Sequence, residues 1–117
     1  MILETNARNA MIAALGTLHN SGTFVLETSG GVEIATLTFA ASAFGAPATG
    51  VITAAAITAD TSATGGTVGR ARTFTGATPI ATLTVGLSAA EVIMASLTVP
   101  VGATVNVTSL TMTQPAS

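Results

Sequence analysis

From Thr23 onward the chain is a succession of short runs rich in threonine, valine and alanine, each stopped by glycine, proline or a serine-containing turn. Runs of this length and composition, with a turn signal about every eight to twelve residues, read as strands of an all-β sandwich or barrel. A doubly wound α/β fold would need several more helical patterns than the chain contains, because helices must cover both faces of a parallel sheet. The expectation is a mainly β domain, a β-sandwich or jelly-roll-like fold of about seven or eight strands with one N-terminal α-helix. At 117 residues the chain is read as a single domain, residues 1–117, with strands lying between 23 and 114.

Before Thr23 the period is different. Thr5 is placed to cap a helix, and Ala7, Ala10, Met11, Ala14, Leu15 and Leu18 follow at helical spacing. The spacing predicts a helix over 6–19, with that stripe as its buried face. Asn20-Ser21-Gly22 supplies the residues that end it.

The strand region divides at its turns. Thr23–Thr28 and Val32–Ala40 form a hairpin around Ser29-Gly30-Gly31, with Glu33, Ala35, Leu37 and Phe39 expected on one face. The breaker-rich segment Ser42–Gly50 crosses between sheets or lines an interface, anchored by Phe44. Val51–Ala59, Thr67–Thr75, Ile80–Leu87, Val92–Val99 and Thr104–Gln114 complete the set. In the last, the inward positions switch near Ser109, through a bulge, or the strand is covered on both faces. Ala116-Ser117 reads as a loose tail.

Charge is scarce: three arginines, five carboxylates and no lysine, with threonine at about one position in five. Threonine favours strands and still presents a hydroxyl to water, so it takes over part of the solvating role that charge has in ordinary domains. A surface of this kind has little to oppose self-association, so a homo-oligomer is expected. Three scattered cations cannot neutralise a row of phosphates, so nucleic acid is not an expected partner. The N-terminus lacks the basic and apolar regions of a signal peptide, and no apolar run has membrane-spanning length, so neither a leader nor a membrane partner is expected.

The side chains of chemistry are few and dispersed. Without cysteine there is no disulfide or thiolate, and Glu4, Glu27, Glu33, Asp60 and Glu91 show no ligand spacing, so no metal or other cofactor is expected. Glu27 and Glu33 can face one another across the hairpin, but no tryptophan or tyrosine platform accompanies them as in a sugar-cleaving site. His19 is the only histidine and is placed at the helix end, where a partly charged ring would favour the carbonyl dipoles. Gly65–Arg70 lacks the lysine ending of a phosphate loop and reads as a flexible loop, and Asn106-Val107-Thr108 is a glycosylation triplet inside an expected strand. No enzymatic role is expected.

Arg70 and Arg72 are the exception. They fall on one expected strand face with Val68 and Phe74, and guanidinium groups near apolar surface require a carboxylate partner. Two readings stand: an intersubunit pair with Glu27, Glu33 or Glu91, or an exposed face on which the arginines keep a sheet edge soluble.

Three segments carry a resemblance: Thr5-Asn6-Ala7-Arg8-Asn9-Ala10, Phe44-Gly45-Ala46-Pro47-Ala48-Thr49-Gly50, and Gly102 to Pro115. In these the chain resembles small virion structural proteins of tailed bacteriophages, and most of all the head decoration, or cement, proteins. The resemblance implies a capsid-surface protein, made in the bacterial host cytoplasm, that forms homotrimers and locks subunits of the major capsid protein together. A tail, fibre-base or head-tail joining component is the alternative within the same class, and a carbohydrate-binding β-sandwich is the alternative outside it. Arg70, Arg72, Phe44, Met1, Ile2 and Leu3 are the candidate intersubunit or capsid contacts.

Overall fold

A computed structural model describes residues 1–115; the tail expected at Ala116-Ser117 lies outside the described residues. One helix, α1 (Thr5–Leu18), precedes ten strands: β1 (Thr23–Glu27), β2 (Glu33–Thr38), β3 (Val51–Thr53), β4 (Gly66–Thr67), β5 (Arg70–Thr75), β6 (Thr78–Leu83), β7 (Val85–Gly86), β8 (Val92–Ile93), β9 (Thr98–Val99) and β10 (Ser109–Thr113). They form two four-stranded sheets, β2-β1-β5-β6 and β3-β10-β8-β7, and a two-stranded ribbon, β4-β9. All pairings are antiparallel except β7 with β8. The protein is mainly β, sandwich-like, with one N-terminal helix.

The strand count exceeds the expectation because three predicted strands are broken in two. Val68-Gly69 separates β4 from β5, Thr84 separates β6 from β7, and the stretch between Ile93 and Thr98 separates β8 from β9. Gly65–Arg70 is accordingly no free loop, since Gly66-Thr67 pairs with Thr98-Val99. A Cβ on Gly69 would lie 2.6 Å from the Ser29 backbone nitrogen, which explains why the chain passes there without a side chain.

The hairpin forms as expected, with Glu27 opposite Glu33 and Thr23 opposite Thr38. Thr28 closes its turn: its backbone N–H donates to Val32 O (2.9 Å) and its hydroxyl accepts from Val32 N–H (3.1 Å). A register shift between Leu26 and Glu27 alters the expected face. Ile34, Ala35, Leu37 and Phe39 are buried, whereas Glu33 turns to solvent. In the last segment the inward positions do switch, from Val105 before β10 to Leu110 and Met112 within it.

One apolar cluster links both sheets and the helix, from Ile12 through Phe24, Leu26, Ile34 and Leu37 to Ile52, Val92, Leu110 and Met112. The first sheet is guarded at both margins. Edge strand β6 carries Pro79, which has no N–H to offer. Along edge strand β2, the Thr36 N–H donates to the Asp60 carboxylate (2.8 Å) and Thr38 exchanges backbone bonds with Thr58.

The helix begins one residue earlier than expected and shows a different face. Glu4 occupies the N-cap position without a side-chain bond, and Thr5 is the first helical residue. The stripe expected to be buried is turned outward: Ala7, Ala10 and Ala14 are exposed, Met11 is 48% exposed and Leu18 54%, with only Leu15 against the core. The face that packs inward is Arg8, Asn9, Ile12, Leu15, Gly16 and His19. Gly16 permits it, since a Cβ there would lie 3.0 Å from Ile52 Cδ1 and 3.4 Å from Phe44 Cβ.

At the helix exit, Gly22 passes directly against β5: a Cβ there would overlap the Phe74 carbonyl oxygen. Gly22→Ala should lower unfolding stability by about 1–3 kcal/mol, because backbone rather than a movable side chain stands in the way. Urea denaturation measures the difference.

Candidate functional site

Two regions bring charged side chains together with their partners. The first is the outer face of the β2-β1-β5-β6 sheet. Register places Glu27 beside Arg70 and Val25 beside Arg72, so both arginines stand next to β1 on the solvent side of β5. Arg70 Nε donates to Glu27 Oε1 at 2.7 Å, and Arg72 Nη1 lies 3.8 Å from Glu27 Oε2. Arg72 also covers the Phe74 ring, its guanidinium carbon 5.0 Å from the ring centroid.

Within the chain, then, the carboxylate that meets the two arginines is Glu27, the cross-strand neighbour. Val68, expected beside them, is instead buried in the core ahead of β5. Glu33 accepts a hydrogen bond from the Thr36 hydroxyl, and Glu91 accepts from Thr84 N–H at 3.1 Å. Asp60 accepts from the backbone N–H groups of Thr36 and Ser62, which hold its carboxyl below the usual carboxylate range. Its contribution to stability is therefore present above its unfolded value of 3.8 and is lost as pH falls below that value.

The second region is the inward face of α1. Arg8 Nε donates to Gln114 O (2.9 Å) and Arg8 Nη2 to Thr49 O (3.0 Å), while Asn9 Oδ1 accepts from Gly50 N–H (2.8 Å). The helix start is thereby tied to the Ala48–Val51 turn and to the end of β10. At the other end His19 stands at the helix end as expected and meets a helix carbonyl, but the ring is fully enclosed, which disfavours the partial charge expected of it. Its Nδ1 lies 2.8 Å from Leu15 O and its Nε2 2.8 Å from the Thr73 hydroxyl, with Phe39 and Phe44 in T-shaped contact at 5.3 and 5.4 Å. Burial pushes the imidazole below its ordinary 6.5, and the Leu15 bond offsets part of that.

Phe44 thus packs over His19 and against the core and is only partly exposed. Met1 and Ile2 are free, 98% and 80% exposed, and Leu3 is half-buried. Ala7, Ala10, Met11, Ala14, Thr17 and Leu18 form an outward surface along α1 that carries no charge, and the exposed Glu4 stands between it and the first three residues.

Among the described residues no three His, Asp or Glu side chains gather as metal ligands would. An open groove of about 220 Å³ between Met94 and Asn106 is lined by uncharged residues. Asn106 is exposed at its rim and lies outside the named strands. No helix among the described residues is long and apolar enough to cross a membrane. Comparisons with protein-family models, curated proteins and solved structures returned no match.

Sequence reasoning left Arg8 without a role, and its partners lie 41 and 106 residues away in the chain. Arg8→Ala should lower stability by about 1.5–3 kcal/mol, the range for hydrogen bonds from a charged donor. Glu27→Gln should cost about 1 kcal/mol, since both of its partners are partly solvated. Chemical denaturation at neutral pH measures both.

Proposed function

We propose that the protein is a structural component of a tailed-phage virion, a decoration protein that binds the outer capsid shell and stabilises the head without enzymatic activity. The observation that carries this reading is the uncharged outer face of α1 from Ala7 to Leu18, with the exposed apolar Met1 and Ile2 beyond Glu4. A 14-residue helix is about 21 Å long. Its outer side exposes Met11 and Leu18 beside three alanines, an apolar surface that a partner would cover.

The chemistry of such a partner follows. It is an apolar, uncharged protein surface, as the major capsid protein or a neighbouring copy of this chain presents. Alanines at 7, 10 and 14 let a second backbone approach closely, and Met11 and Leu18 flank them with larger apolar groups. Homotrimers on the shell would place many such contacts side by side, and the summed contacts would raise avidity. The phage resemblance of the sequence supplies the setting in which these contacts make sense.

Cryo-electron microscopy of the purified particle tests the reading. Hundreds of copies at local symmetry axes of the head are expected; a few copies on an axis would assign the protein to the tail or head-tail junction instead. Its absence from particles would overturn the virion reading altogether. Met11→Asp combined with Leu18→Asp should preserve the fold, since both are solvent-facing, and weaken shell binding at least tenfold. Removal of residues 1–5 should act in the same direction, and shell binding unaffected by both changes would remove α1 from the contact.

A further inference from the structure

His19 makes a side-chain hydrogen bond between the end of α1 and β5, beside the bonds that Asn20 and Ser21 form with the segment from Ala40 to Ala43. The Leu15 carbonyl can only accept, so Nδ1 carries the proton of the neutral ring and Nε2 accepts from the Thr73 hydroxyl. Thr73 sits fully enclosed on the inner face of β5. The bond from His19 therefore ties the C-terminal end of α1 to the middle of the first sheet, 54 residues further along the chain.

Apart from the Leu15 carbonyl, no group that would favour a cation stands against the ring among the described residues. Phe39 and Phe44 make T-shaped contacts with the ring, and Phe24 packs against Phe39 at 6.0 Å. From α1 the charged groups are Glu4 and Arg8, at the far end of the helix and in its first turns. From β5 they are Arg70 and Arg72, which point to the opposite face from Thr73, and from β1 it is Glu27, engaged with Arg70 on that same outer face. The segment holding Phe39 and Phe44 carries no charge. No carboxylate forms an ion pair with His19 among the described residues.

Protonation at Nε2 would turn an acceptor into a second donor. The Thr73 hydroxyl would then have to accept from the ring while its own proton, in a closed pocket, lost its partner. We propose that His19 is an acid-sensitive latch: protonation of the ring reverses its bond with Thr73, leaves the Thr73 proton and a cation in a closed apolar pocket, and so loosens the C-terminal end of α1 from the sandwich while the strand core stays closed.

The sign follows from linkage. A ring that is neutral when latched and ordinary when exposed binds more protons in the opened state. The latch is complete above the exposed value of 6.5 and is lost progressively as pH falls below it. With that exposed value, opening should increase up to about 25-fold between pH 7 and pH 5. Asp60 weakens only below 3.8, so the two effects occupy separate windows.

The chain contains one histidine, so a single ring resonance reports the site. In the intact protein, that resonance should hold its neutral position below pH 6.5. Amide protection at Gly16, Thr17, His19, Asn20 and Gly22, corrected for intrinsic exchange, should fall by up to the stated factor between pH 7 and 5, while Leu26 and Leu37 keep theirs. Thr73→Val should lower the same helix-end protection already at pH 7. A ring that titrates at 6.5 with helix-end protection unchanged would overturn the latch, as would an equal loss at Leu26 and Leu37. His19→Gln, if folded, should show a flat profile over this range, and a persisting slope would also refute the latch. Should that variant not fold, the ring titration and exchange of the unaltered chain still decide.

Discussion

With eight charged side chains in 117 residues, nearly every one must serve as an internal fastener, and the fold depends on where they are placed. Arg8 holds two backbone carbonyls, Glu27 meets two arginines, Asp60 takes two backbone N–H groups, and Glu33 and Glu91 each hold a threonine. His19 adds the one neutral polar bridge inside the core. Little charge is then left for the surface, which falls to threonine, alanine and serine. The same economy that fixes the fold leaves α1 with an uncharged outer side.

What was legible in the sequence was local. The helix exit at Asn20-Ser21-Gly22 and the hairpin around Ser29-Gly30-Gly31 are written in adjacent residues, and both stand where the turn chemistry puts them. The inward switch before β10 was legible too, because the apolar positions change parity within a few residues. The broken strands were not, since Val68-Gly69 and Thr84 interrupt pairing for reasons of tertiary approach that composition does not carry.

The face of α1 was the largest miss, and its cause is physical. An apolar stripe at helical spacing is normally the core stripe, and Arg8, Asn9 and His19 look like solvent residues. Each is made tolerable in the interior by a partner from 41 to 106 residues away, such as Thr73, Gly50 or Gln114. Desolvation of those groups is offset by well-placed acceptors and donors that no local window can reveal. Arg70 and Arg72 were identified as needing a carboxylate, but only the β1–β5 register could single out Glu27 from three candidates.

The guarded margins of the first sheet have a further consequence. A charge-poor, threonine-rich chain is at risk of recruiting copies of itself by strand addition, the route that leads to open-ended fibres. Pro79 on one side and the Asp60–Thr36 and Thr58–Thr38 contacts on the other remove backbone groups that an incoming strand would use. Growth by that route is hindered at both margins of the sheet, so a contact between copies would have to use side-chain surfaces, whose geometry, unlike strand addition, can close on itself.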